Sequence, residues 1–101
     1  MADQGSGKHD RRQGPNAARV AARAREHIGE LTGKGVLGVT SVAPAENGGW
    51  AVEVDVVEDR RVPSSSDMLA TYAVDLDHDG DLVSYRRVRR YLRGLADQGR
   101  T

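Results

Sequence analysis

Apolar residues recur at helical spacing near the start of the chain. Ala17, Val20, Ala21, Ala24, Ile28 and Leu31 stand at i, i+3, i+4, i+7, i+11 and i+14, which makes one stripe. Asn16 occupies the N-cap position, and Gly33 and Gly35 end the pattern. This spacing predicts a helix from Ala17 to those glycines. Alanine dominates the first half of the stripe and allows close approach to a sheet, while Arg19, Arg23 and Glu26 project elsewhere. The period then changes from 3.6 to 2.

Val36–Val42 reads as a first strand whose facing the pattern leaves open, because its apolar residues occur on both parities. Pro44 closes it, and Asn47-Gly48-Gly49 is a hairpin signal. Trp50–Val57 alternates cleanly. Trp50, Val52, Val54 and Val56 point one way, and Glu53 and Asp55 point the other. Arg60–Asp67, with Pro63 and a serine run, reads as a loop. Met68–Leu76 follows as a third strand with Met68, Ala70, Tyr72, Val74 and Leu76 on one face. Asp79-Gly80 closes a second hairpin onto a short strand, Leu82–Tyr85. From Arg86 a helical wheel places Val88, Tyr91, Leu92 and Leu95 on one side and Arg86, Arg89, Arg90 and Arg93 on the other. The expected fold is α+β: an N-terminal helix packed on an antiparallel sheet of three to four strands, followed by a C-terminal amphipathic helix. The expected core joins Trp50, Val52, Val54, Tyr72, Val74 and Leu76 to Val20, Ala24 and Ile28.

Composition narrows this picture. The 101 residues suffice for one small domain. Residues 1–15 offer almost nothing to bury and read as a disordered tail, residues 16–97 as a single domain, and residues 98–101 as a disordered end. The chain contains no Phe and few aromatics, so valine, leucine and alanine must fill the core. With no Cys there is neither a disulfide nor thiolate chemistry. No apolar run approaches the roughly 20 residues that span a bilayer, and the N-terminus lacks the apolar core of a signal peptide. A cytoplasmic protein is expected.

The net charge is zero, yet it is sorted along the chain: residues 1–39 carry +3, residues 40–81 carry −8, and residues 82–101 carry +5. Such polarisation can orient a charged partner, or the basic end can neutralise the acidic strands internally. The arginines Arg86, Arg89, Arg90 and Arg93 are the candidate partner-binding residues, because guanidinium groups make bidentate contacts with carboxylates and phosphates.

Other chemistry finds little support in the sequence. His9, His27 and His78 lie in a tail, a helix and a turn, so no base faces the serine run. His9–Arg12 is a weak polyanion patch in a solvated tail. Glu53, Asp55, Glu58 and Asp59 fit the wet face of a sheet better than a metal site. The Asp77–Asp81 run lacks the distal bidentate Glu of a calcium loop. No phosphate loop is present, and no catalytic, metal or cofactor-binding residue is assigned. Nucleic acid fits poorly, since the domain is not basic overall and no stacking aromatics interleave with the arginines.

With these residues in view, the chain resembles the gas vesicle protein O family (GvpO). The matching pattern begins with Gly49-Trp50, Val52-Glu53-Val54 and Val57-Glu58, followed by Arg61-Val62-Pro63. It continues with Asp67-Met68-Leu69-Ala70, Tyr72, Val74, Leu76-Asp77 and Asp79-Gly80-Asp81-Leu82, and it ends in Tyr85-Arg86-Arg87, Arg90-Tyr91 and Arg93. The resemblance implies a non-enzymatic, cytoplasmic accessory protein in gas vesicle formation and assembly. Its implied partners are other gas vesicle proteins, with no small-molecule substrate, no cofactor and no membrane. The alternative is a small nucleic-acid-binding regulator using the arginine-rich C-terminal helix.

Overall fold

The computed structural model describes residues 16–95. The expected tails at 1–15 and 98–101, and the His9–Arg12 patch, lie outside the described residues. Helix α1 spans Ala17–Thr32, and strands β1 (Gly35–Pro44), β2 (Trp50–Asp59), β3 (Met68–Leu76) and β4 (Leu82–Leu92) follow. All four strands join one antiparallel sheet in sequence order.

Both ends of α1 are capped. The Asn16 side chain accepts from the Arg19 amide at 3.0 Å, and Gly33 takes the left-handed φ of 67° that lets its amide reach back to the Gly29 carbonyl. Between the caps, Val20, Ala24 and Ile28 are fully buried, whereas Leu31 stays half exposed.

The facing of β1 is set by two bulges. Its register against β2 shifts between Val36 and Gly38 and again between Val39 and Ser41. Each shift adds one residue, so Val36, Val39 and Val42 all pack against the core although they are three apart. This accounts for the poor alternation of the segment.

Both hairpins close as expected. In the first, the Gly49 amide donates to the Asn47 side chain, and Gly48 has φ 90°. Gly49 is buried so tightly against the Leu76 carbonyl that no Cβ fits there. In the second, Gly80 has φ 91°, and Asp77 Oδ1 accepts from the amides of Asp79 and Asp81.

The core lies between α1 and one face of the sheet. Val52, Val54, Val56, Ala70, Val74 and Leu76 are buried with Val20, Ala24 and Ile28. Trp50 and Tyr72 are only partly buried and rim this cluster. α1 crosses β1, β2 and β3.

One expectation is overturned. Arg86–Leu92 is not helical: it continues β4, paired with β3 along its whole length from Leu76↔Leu82 to Met68↔Leu92. Among the described residues, only 93–95 are helical at this end. The cause is tertiary. The Asp79-Gly80 turn delivers the chain alongside β3, whose outer amides and carbonyls would otherwise lack partners, and pairing satisfies them along nine residues.

Candidate functional site

A strand distributes the arginines differently from a helix. Direct cross-strand partners share a face, so Arg87 (opposite Tyr72) and Arg90 (opposite Ala70) lie on the α1 side. Arg86 (opposite Ala73) and Arg89 (opposite Thr71) lie on the open side. Val88 is the extra residue of a bulge between them.

On the α1 side the arginines are held internally. Arg87 Nη1 donates to Glu58 Oε2 at 3.0 Å, and Arg90 Nε donates to Glu58 Oε1. The Glu58 side chain is only 11% exposed. Burial pushes its pKa up, but hydrogen bonds and charge from Arg87 and Arg90 outweigh this and hold it below the ordinary value. Past the end of β4, and not on the α1 side, Arg93 Nη2 donates to Asp67 Oδ2 at 3.3 Å, and the Arg93 amide donates to the Asp67 carbonyl at 3.0 Å. Asp67 is buried. Its carboxyl is held low first by the Arg61 amide at 2.6 Å, against the effect of burial, and then by Arg93. Of the four candidate residues, Arg90 and Arg93 are thus hydrogen-bonded to the protein's own carboxylates.

The open side carries a different network. Asp55 accepts from Thr71 Oγ1 at 2.7 Å and from the Tyr91 hydroxyl at 2.8 Å. Burial raises the Tyr91 pKa, and the hydrogen bond to the Asp55 carboxylate raises it further. The Arg89 guanidinium lies 4.6 Å from the centre of the Tyr91 ring and reaches Thr71 Oγ1 at 3.4 Å. Arg89 makes no ion pair among the described residues. Arg86 approaches Asp75 at 3.8 Å, and Ser84 Oγ donates to the same carboxylate at 3.0 Å. On this side the row Val57, Leu69 and Tyr91 is closed to water at Val57 and Leu69, each 4% exposed.

Sequence reasoning missed Tyr91, Thr71 and Asp55 as supports of Arg89. The one available signal was their polar parity: Thr71 and Asp55 both oppose the apolar face of their strands. Tyr91 was assigned to an apolar helix stripe and carried no such signal.

The remaining acidic candidates do not converge on one site. Glu53 and Asp55 lie on the open face, Glu58 meets Arg87 and Arg90, and Asp59 pairs with Arg61 at 2.8 Å. Asp77, Asp79 and Asp81 do cluster in the second turn. There the Asp77 carboxyl is lowered chiefly by the Asp81 amide, and Asp81 pairs with Arg23 at 3.0 Å, so these carboxylates serve the turn and its contact with α1. Ser64–Ser66 form a short 3-10 turn of the loop between β2 and β3. Among the described residues no helix is long and apolar enough to cross a membrane.

The fold and this geometry define a small α+β domain with one sheet face covered by α1 and an opposite face that carries charged rows beside the buried Val57 and Leu69. The family model described as gas vesicle synthesis protein GvpO matches residues 3–97. Gas vesicle protein O of Streptomyces sp. (strain CB03234) is 44% identical over 86 residues, covering 85% of this chain and 66% of that protein. Gas vesicle protein O of Haloferax mediterranei is 35% identical over 72 residues, covering 71% of this chain and 51% of that protein. Gas vesicle protein O1 of Halobacterium salinarum is 36% identical over 72 residues, covering 71% of this chain and 60% of that protein. The chain belongs to the GvpO family, and it spans between about half and two thirds of the length of these relatives. No solved structure matches it.

Proposed function

We propose that the protein is a non-enzymatic accessory factor in gas vesicle formation, acting in the cytoplasm, associated with the vesicles, through contacts with other gas vesicle proteins. Family membership supports the biological role. The observation that carries the contact mechanism is Arg89. It is exposed, stacked on Tyr91, and without a carboxylate partner among the described residues. A guanidinium fixed on an aromatic ring loses little freedom on binding, and Arg and Tyr are enriched among residues that anchor protein interfaces. Of the arginines Arg86, Arg89, Arg90 and Arg93, the first two are exposed on the open face and are held only by a 3.8 Å approach to Asp75 and a 3.4 Å contact with Thr71. The other two tie β4 to Glu58 and Asp67 and keep that strand in place. The nucleic-acid alternative relied on an arginine-rich helix, but Arg86, Arg87, Arg89 and Arg90 lie in β4 instead.

The test is Arg86→Glu with Arg89→Glu, introduced into the full chain in a cell that forms gas vesicles. The variant should fold normally, while co-purification of other gas vesicle proteins and vesicle formation should both fail. A variant that folds and still supports vesicle formation overturns the docking role of these arginines.

A further inference from the structure

Across the open face, the cross-strand partners form rows. One row runs Gly38, Asp55, Thr71, Arg89, and the next runs Ser41, Glu53, Ala73, Arg86. A third runs Ala43, Ala51, Asp75, Ser84. In the first two rows, small residues on β1 and β3 alternate with acids on β2 and arginines on β4. We propose that this face is self-complementary and pairs with the same face of a second copy, about a two-fold axis parallel to the strands.

That axis sets β4 over the partner's β1 and β3 over its β2. Arg89 then faces Gly38 of the second copy, Arg86 faces Ser41, Glu53 faces Ala73, and Asp55 faces Thr71, so each long side chain meets a short one. Each arginine is also offset sideways by only one strand spacing, about 4.8 Å, from the column of acids in its own row of the other copy, across sheets about 10 Å apart. Arg86 meets Glu53 in this way, and Glu53 makes no ion pair among the described residues. A two-fold axis across the strands would instead stack arginine on arginine, which the charges disfavour.

The three rows measure about 19 Å across four strands and about 20 Å along them, which buries on the order of 800 Å² in total. This is the low end for specific interfaces, so the dimer is weak and salt-sensitive. Both uses of the face need Arg86 and Arg89, so self-association and docking on other proteins compete. Dilution below the dimer's dissociation constant frees the face.

Sedimentation velocity of the full chain tests this from micromolar to millimolar concentration at low and high salt. The expected result is a monomer–dimer equilibrium that weakens with salt. Arg86→Glu and Glu53→Arg should each weaken the dimer by more than about tenfold through like-charge contacts. An equimolar mixture of the two variants should regain the dimer, because both row contacts are then of opposite charge, and the double variant should regain it alone. A wild-type chain that stays monomeric at millimolar concentration in low salt overturns the proposal, as does a mixture that fails to recover when each variant is folded by circular dichroism. Should a variant not fold, concentration-dependent amide shifts of the wild-type protein decide. They must cluster at Gly38, Ser41, Glu53, Ala73, Arg86 and Arg89, and shifts confined to α1 or the turns overturn the proposal.

Discussion

The two faces of this sheet are made by the same strands and obey different physics. Toward α1, Val52, Val54, Val56, Ala70 and Val74 are each at most 1% exposed, and their cohesion is non-directional burial. On the other side, the intervening residues Asp55, Thr71 and Asp75, with Arg86 and Arg89, are held by directed hydrogen bonds and ion pairs at the margin of water. The covered face therefore sets whether the chain folds. The exposed side chains of the other face, such as Glu53, Arg86 and Arg89, contribute little to stability and are free to be chosen for recognition.

This contrast is broken most sharply from the covered side. Ile28→Ala removes a fully buried side chain from the centre of α1 and should cost about 2–5 kcal/mol, which for a domain this size is a large part of the total. Val54→Ala, at the matching position of the sheet, should cost on the order of 1–3 kcal/mol. Urea unfolding of either variant checks the assignment, and an unchanged midpoint refutes it.

Thr71→Val probes the boundary between the two regimes, because Thr71 is buried yet belongs to the open-face network. The shape is retained, while the hydrogen bond to Asp55 and the longer one from Arg89 are lost, so a cost of about 0.5–1.5 kcal/mol is expected in the same measurement.

Acid should act on the carboxylates that clamp β4 and the loop before β3. Glu58 and Asp67 have pKa values below those of the unfolded chain. Their contribution is therefore fully present above the ordinary carboxylate range of about pH 4, and it is lost as pH falls through the folded-state values. Glu58→Gln should flatten the pH dependence of thermal unfolding below about pH 4 and leave its slope near neutrality unchanged. A variant that keeps the wild-type acid profile would show that the Arg87 and Arg90 pairs do not lower this carboxyl.

Arg89→Glu should have the smallest effect on folding, within about 1 kcal/mol, since exposed charges contribute little. A larger loss of stability would mean that the open face is structural after all.

The register of the covered face was legible because alternation is a local property. Trp50–Val57 and Met68–Leu76 show it in the chain itself, and the Asn47-Gly48 and Asp79-Gly80 turns announce their positive φ through glycine. The half-burial of Trp50 and Tyr72 was not legible, because α1 is one helix wide and these rings fall at the rim of what it covers. Nor was the pairing of Arg90 with Glu58, or of Arg93 with Asp67, which joins residues far apart in sequence. The supports of Arg89 were hidden for the same reason.

What the chain determined by itself was therefore the helix with its caps, three strands, two turns and the apolar side of the sheet, all set by neighbours within a few residues. Tertiary structure decided the rest. Residues 86–92 fit a helical wheel about as well as a strand, since arginine and leucine favour helices while valine and tyrosine favour strands. Only the open edge of β3, which must find hydrogen-bond partners, resolves that balance in favour of β4. The same pairing carries Arg86 and Arg89 to one face and Arg87 and Arg90 to the other, because a strand alternates its side chains where a helix would have gathered them.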